Sequence, residues 1–148
     1  MRKHIRTAVF TALAVLSTAP SFAKENNSLY KNLGGKKAIV AVVDDFVGRV
    51  AADNRINHFF QVTASDPKRL ASFKMKLVDQ ICEASGGPCK YTGKDMKSAH
   101  DGMGITGADF GALVEDLVAT LDKFHVKEPD KQALLGALGP MQKDIVAK

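Results

Sequence analysis

From Lys36 onward the apolar positions follow a helical period. Ile39, Val42, Val43, Phe46, Val47 and Val50 fall three or four apart and form one stripe, so an amphipathic helix is expected that ends near Asp53. Asp44, Asp45 and Arg49 lie off the stripe and are expected in solvent. Ahead of it, Ser28 to Leu33 allows a short helix at most, stopped by Gly34-Gly35. After it, Arg55 to Phe60 reads as a short apolar turn and Gln61 to Pro67 as a loop. Asp66 before Pro67 has the order of a helix start. The helix it opens places Phe73, Leu77 and Ile81 on one face, extended by Leu70 and Ala84, before the Gly86-Gly87-Pro88 break.

Thr106-Gly107-Ala108-Asp109 has the form of a capping box and opens a further helix. Its stripe runs Phe110, Leu113, Val114, Leu117, Val118, Leu121, Phe124, with His125 expected to be exposed at its end. Glu128-Pro129-Asp130 starts a last helix that carries Leu134, Leu135, Leu138, Met141 and Ile145, and Gly136, Gly139 and Pro140 predict a kink there. Runs that alternate with the period of a strand are missing from the pattern, so the fold class is all-α.

The first 23 residues depart from this pattern. Arg2, Lys3 and Arg6 make a basic opening, Thr7 to Ala19 is largely apolar, and Ser21-Phe22-Ala23 has the small-x-small form of a signal-peptidase site. The apolar run is shorter than the roughly 18 residues a membrane span needs. The expected organisation is therefore a cleaved signal peptide over residues 1–23, one domain over 24–148, export to a periplasmic location, and no membrane attachment once the leader is gone. Removing the three leader cations lowers the formal charge from +5 to +2. The mature part has no clustered basic face of the kind that binds nucleic acid.

Two cysteines, Cys82 and Cys89, bracket six residues that hold the Gly-Gly-Pro break. In an oxidising compartment a bridge is favoured over two free thiols, and the chain-entropy estimate gives it roughly 2.5 kcal/mol. Neither belongs to a Cys-x-x-Cys-His sequence, which argues against c-type haem attachment.

The stretch Tyr91 to Thr106 carries the candidate chemistry. His100 stands just before Gly102 and Gly104, at the end of a short helical piece with breakers on both sides. Such a histidine either completes the last turn with its own hydrogen bond or serves as a metal ligand through a neutral imidazole. His58, beside Phe59 and Phe60, is read as a surface histidine.

The succession Gly86-Gly87-Pro88, Tyr91-Thr92-Gly93, Met96-Lys97, His100, Gly102 and Gly104-Ile105-Thr106 resembles the proximal haem region of group I truncated haemoglobins. Leu33-Gly34-Gly35 and Phe59-Phe60 fall where that family has its first Gly-Gly break and the aromatic wedged against haem. The likeness extends from about Ser28 to about Val146.

What it implies is a truncated, globin-like 2-on-2 helical sandwich around one non-covalent haem b. His100 would be the proximal iron ligand and O2, NO or CO the diatomic ligand. The pocket implied is lined by Phe46, Val47, Phe60, Arg69, Phe73, Lys76, Leu77, Tyr91, Met96, Ile105, Phe110 and Val114. Relatives commonly carry a ligand-binding tyrosine where this chain has Val47, and glutamine where it has Phe73 or Leu77, so an unusually apolar distal pocket is expected. Gln80, one turn beyond Lys76, is the remaining polar candidate there. Lys76 aligns with a position that in some relatives supplies a sixth ligand and in others pairs with a haem propionate. Arg69 is a second propionate candidate.

Oxygen binding or transport is the function this implies. The alternatives are an NO dioxygenase or peroxidase-type redox enzyme, an electron-transfer haem protein with a lysine sixth ligand, and a helical interaction domain without cofactor. The enzyme reading needs an external reductase, because the chain has no flavin or nicotinamide fingerprint.

Overall fold

The computed structural model describes residues 29–147, and the leader expected over residues 1–23 lies outside them. All regular elements among the described residues are helical. After a helical turn at residues 29–32 come α1 (Gly35–Ala52), a 3-10 turn (Asn57–Phe60), α2 (Gln61–Ala64), α3 (Pro67–Ala84) and α4 (Met96–His100). Then follow α5 (Gly107–Lys123), α6 (Glu128–Leu138), a 3-10 turn (Gly139–Met141) and α7 (Gln142–Ile145).

The apolar stripe of α1 is the centre of the core: Ile39, Val42, Val43, Phe46 and Val50 are all buried. This helix packs against both α3 and α5, α3 also meets α6, α5 meets α7, and the short α4 rests on α7. Burial of Val78, Ile81, Cys82, Ala112, Leu117, Leu121 and Leu134 completes one continuous cluster.

The helix boundaries follow local chemistry. The Asp66 carboxylate accepts from the Lys68 and Arg69 amides, and Pro67 occupies the first helical position of α3. Thr106 and Asp109 form both bonds of the capping box. At the other end of α5, the amides of His125 and Val126 return to the carbonyls of Asp122 and Leu121 at 3.0 Å each, a Schellman motif. Its left-handed position is filled by His125 at φ 55° rather than by glycine. The expected weak point in the last helix is a 3-10 turn at Gly139–Met141 between α6 and α7, through which the backbone stays helical, with Gly139 at φ −54° and ψ −39°.

Four expectations change. Gln61–Ala64 is a single helical turn, closed by the Ser65 amide on the Gln61 carbonyl at 3.0 Å, where a loop was expected. In α3 the fully buried face is Val78, Ile81 and Cys82, while Phe73 and Leu77 are half-buried on an adjoining face. Phe124 is exposed and Thr120 is buried, because the C-terminus of α5 turns its last apolar residue outward. Asp45 is not a solvated charge. Its carboxylate accepts from Arg49 at 2.8 Å, from Thr120 at 3.1 Å and from Lys123, fastening α1 to α5. Arg55 makes a second tie near the end of α1, gripping Asp53 at 2.8 Å and Glu115 at 2.7 Å.

The Lys123 ammonium, followed by Arg49, holds the Asp45 carboxyl down at about 2. A group depressed in the folded state stabilises fully above the ordinary carboxylate range, and the benefit is lost as pH falls through its folded value. Thermal melts should therefore show Asp45→Asn less stable than the parent at pH 7, with the gap closing between pH 4 and 2 (about those values). A gap independent of pH would mean that the carboxylate's charge does not fasten the two helices.

Candidate functional site

His100 is positioned by a helix of only five residues, α4, so both ends need external support. At the N-terminus the Asp95 carboxylate accepts from the Ser98 amide at 3.0 Å. This interaction, ahead of the influence of the Ser98 hydroxyl, lowers the Asp95 carboxyl below its usual range. At the other end the chain turns through Gly102 and Gly104, at φ 73° and 66°, a left-handed region that costs glycine little. His100, the last helical residue, places Nδ1 2.7 Å from the carbonyl oxygen of Met96. A carbonyl can only accept, so Nδ1 carries a proton, and the tautomer with its lone pair at Nε2 is the one this bond selects.

A cavity of about 410 Å³ adjoins this helix, lined by Gln80, Glu83, Ala84, Tyr91, Asp95, Met96, Ala137 and Met141. Its size lies within the ~300–1,000 Å³ of small-molecule and cofactor sites. Across it the Gln80 amide nitrogen lies 3.4 Å from Met96 Sδ and 3.1 Å from Met141 Sδ, which joins α3, α4 and the C-terminal helical segment. Tyr91 donates its hydroxyl to the Lys94 carbonyl at 2.6 Å, and burial raises its phenol above the ordinary value. Glu83 accepts from the Tyr91 amide at 3.1 Å, and that bond, followed by Lys90, lowers its carboxyl.

Of the residues singled out from sequence, Tyr91 and Met96 share this cavity wall, whereas His100 stands one turn beyond Met96. Phe60 and Phe73 pack with ring centroids 5.7 Å apart. Val47, Phe60 and Leu77 are half-buried against the core, with Phe46 inside it. Ile105 is buried, and Phe110 and Val114 are half-buried on α5. Lys76 and Arg69 are exposed, and among the described residues Arg69 pairs only with Asp66, at 3.9 Å. His58 is exposed, as expected.

Glu83, Asp95 and Ala137 on the cavity wall were not singled out from sequence, and Met141 was read only as core. Asp95 was legible as an N-cap, since an Asp followed three residues later by Ser precedes a short helical run. Glu83 was not, because its role comes from a loop folding back over its own helix.

A family model described as bacterial-like globin matches residues 28–147. The chain belongs to the bacterial-like globin family.

Within that family it is similar to the group 1 truncated hemoglobin GlbN of Mycolicibacterium paratuberculosis. The two are 37% identical over 121 residues, 82% of this chain and 85% of that protein. The Synechocystis GlbN is 40% identical over 106 residues, 69% of this chain and 82% of its own. Among solved structures, the Fe(III) form of the Tetrahymena pyriformis truncated hemoglobin superposes with a TM-score of 0.73 at 32% identity, covering 81% of this chain and 98% of that one. The 2/2 hemoglobin of a Synechococcus strain, in the cyanomet state and with covalently attached heme, gives the same four values: 0.73, 32%, 81% and 98%. The architecture is thus the 2-on-2 helical arrangement of the truncated globins, and the chain is a haem-binding globin.

The residues present fit a haem. An imidazole whose far nitrogen is fixed by a carbonyl is a suitable iron donor, and half-buried apolar side chains on α1, α3 and α5 suit a flat apolar macrocycle. Among the described residues no group of three or more His, Cys, Asp or Glu could hold a metal ion.

Because α4 is so short, the cap on the globin's histidine helix should be visible in its dynamics. Asp95→Ala should raise amide hydrogen exchange at Ser98 to His100 by about fivefold, the factor lost with a typical cap. Unchanged exchange there would show that packing on α7 alone holds the helix.

Proposed function

We propose that the protein binds one haem b non-covalently, with Nε2 of His100 as the proximal iron ligand, and that it binds O2 or another diatomic gas such as NO or CO. The single observation that carries this reading is the 2.7 Å bond from His100 Nδ1 to the Met96 carbonyl, which fixes the ring's tautomer and its orientation. When bound, haem supplies an iron centre able to take up a diatomic ligand, and the polarity of the surrounding residues tunes how tightly.

Non-covalent binding is supported by the cysteines, both of which are engaged in one bridge. His58 and His125, the other histidines among the described residues, are exposed. On the distal side Val47, Phe73 and Leu77 offer no hydrogen-bond donor, while Phe46, Phe60, Ile105, Phe110 and Val114 supply apolar contact. Gln80 is held by two thioethers rather than by a strong acceptor, so its amide is an uncharged donor free to turn toward a ligand. Exposure of Lys76 and Arg69 suits pairing with haem propionates, and for Lys76 it favours that role over iron ligation. Export of the protein is supported by the basic, then apolar, then small-residue order of residues 1–23 and by the disulfide. Any turnover of NO or peroxide would draw on a reductase outside the chain.

Two measurements test the reading. Purified protein supplied with haem should develop a Soret band that His100→Ala abolishes or strongly shifts. A colourless sample, or a spectrum unaltered by the substitution, overturns the assignment. Val47→Tyr should slow oxygen dissociation in stopped flow by about tenfold, the effect of one added hydrogen bond in a buried site. An unchanged rate would show that the region around residue 47 does not face the ligand.

A further inference from the structure

We propose that the Cys82–Cys89 disulfide is a redox lock on the segment carrying the iron ligand: closed, it holds His100 in place and retains haem; opened by a dithiol, it releases both. This inference rests on the reading of His100 as the haem ligand.

Cys82 lies in the last turn of α3 and is fully buried, while Cys89 is half-buried in the loop that leads to α4. Their Cα atoms are 5.7 Å apart, within the ordinary span of a bridge. The surroundings are built closely around it. A Cβ added at Gly87 would lie 2.7 Å from Cys82 Sγ and 2.5 Å from the Tyr30 ring.

Beyond Cys89 the chain has no helix until Met96. Its polar ties back to α3 are few: the Tyr91 amide at 3.1 Å and the Lys90 ammonium at 3.3 Å both use the exposed carboxylate of Glu83. Ties of that kind in water are weak. The amide of Gln80 reaches Met96 through a thioether, a poor acceptor. A five-residue helix cannot hold itself. Beyond the backbone itself, the bridge is therefore the covalent cross-link that ties the helix bearing Phe73, Leu77 and Gln80 to the start of the segment bearing His100.

Opening is ordinary thiol–disulfide exchange. A thiolate of the dithiol attacks Cys89 Sγ, the more accessible sulfur, and the Cys82 thiolate leaves. The second thiol of the reagent then displaces Cys89, so the reagent ends as a cyclic disulfide and both cysteines end as thiols carrying its two protons. Because Cys82 leaves into a buried site, where a thiolate is disfavoured, reduction should wait on movement of the loop.

The test uses ferric haem-loaded protein, oxidised or treated with dithiothreitol, together with a Cys82→Ser/Cys89→Ser double variant. Haem transfer to excess apomyoglobin is followed in the Soret region, and amide exchange is followed in haem-free protein. The expected results are about tenfold faster haem transfer on reduction, and faster exchange at residues 90–100 with Leu117 and Leu121 unaffected. Equal transfer rates overturn the lock, as does acceleration spread evenly through the core, which would make the bridge a general stabiliser. If the double variant does not fold, the reduced parent decides the question. If no form takes up haem, it is the haem reading that fails, and exchange at residues 90–100 still decides whether the bridge fastens that segment.

Discussion

The bond between the His100 imidazole and the Met96 carbonyl turns a helix-terminal histidine into a directed donor. A free imidazole can rotate about its side-chain torsions and carry its proton on either nitrogen. Here one nitrogen is spent on a carbonyl four residues back, and the other is left with its lone pair and a fixed direction. Everything around α4 maintains this arrangement: the Asp95 cap at one end, two left-handed glycines at the other, and α7 beneath.

A donor held on five residues is only as steady as what those residues rest against. The frame here is α1, which buries one continuous stripe against both α3 and α5 and is locked to α5 by Asp45 and Arg55. Those charged contacts link elements more than seventy and about sixty residues apart in sequence respectively, and the Asp45 cluster joins a half-buried carboxylate to two cations and a hydroxyl. The 3-10 turn at Gly139–Met141 links α6 to α7, Met141 meets Gln80, and α7 supports α4.

Much of this was legible beforehand, where neighbouring residues suffice to cause it. The caps at Asp66 and Thr106 depend on atoms two or three residues away, so their residue types announce them. The α1 stripe depends only on a period, and the 3-10 turn in the last helical segment coincides with its glycine and proline. The misreadings have the opposite character. Asp45 looked solvated because its partners Thr120 and Lys123 lie on another helix. Ile81 was grouped with Phe73 and Leu77, although two adjoining faces of α3 meet different neighbours. Phe124 continues a period that the tertiary fold no longer uses.

The sequence by itself determined the long helices, the caps that open them and the all-α class, because each of these follows from interactions within a few residues, and the ordered motif around His100 carried the resemblance to the family. Only the tertiary structure decided that Gln80 meets Met96 and Met141, that Asp45 meets Thr120 and Lys123, and which apolar residues are fully buried. The physical reason is distance along the chain: these contacts pair atoms whose approach depends on how whole helices cross, and a one-dimensional pattern does not carry crossing angles.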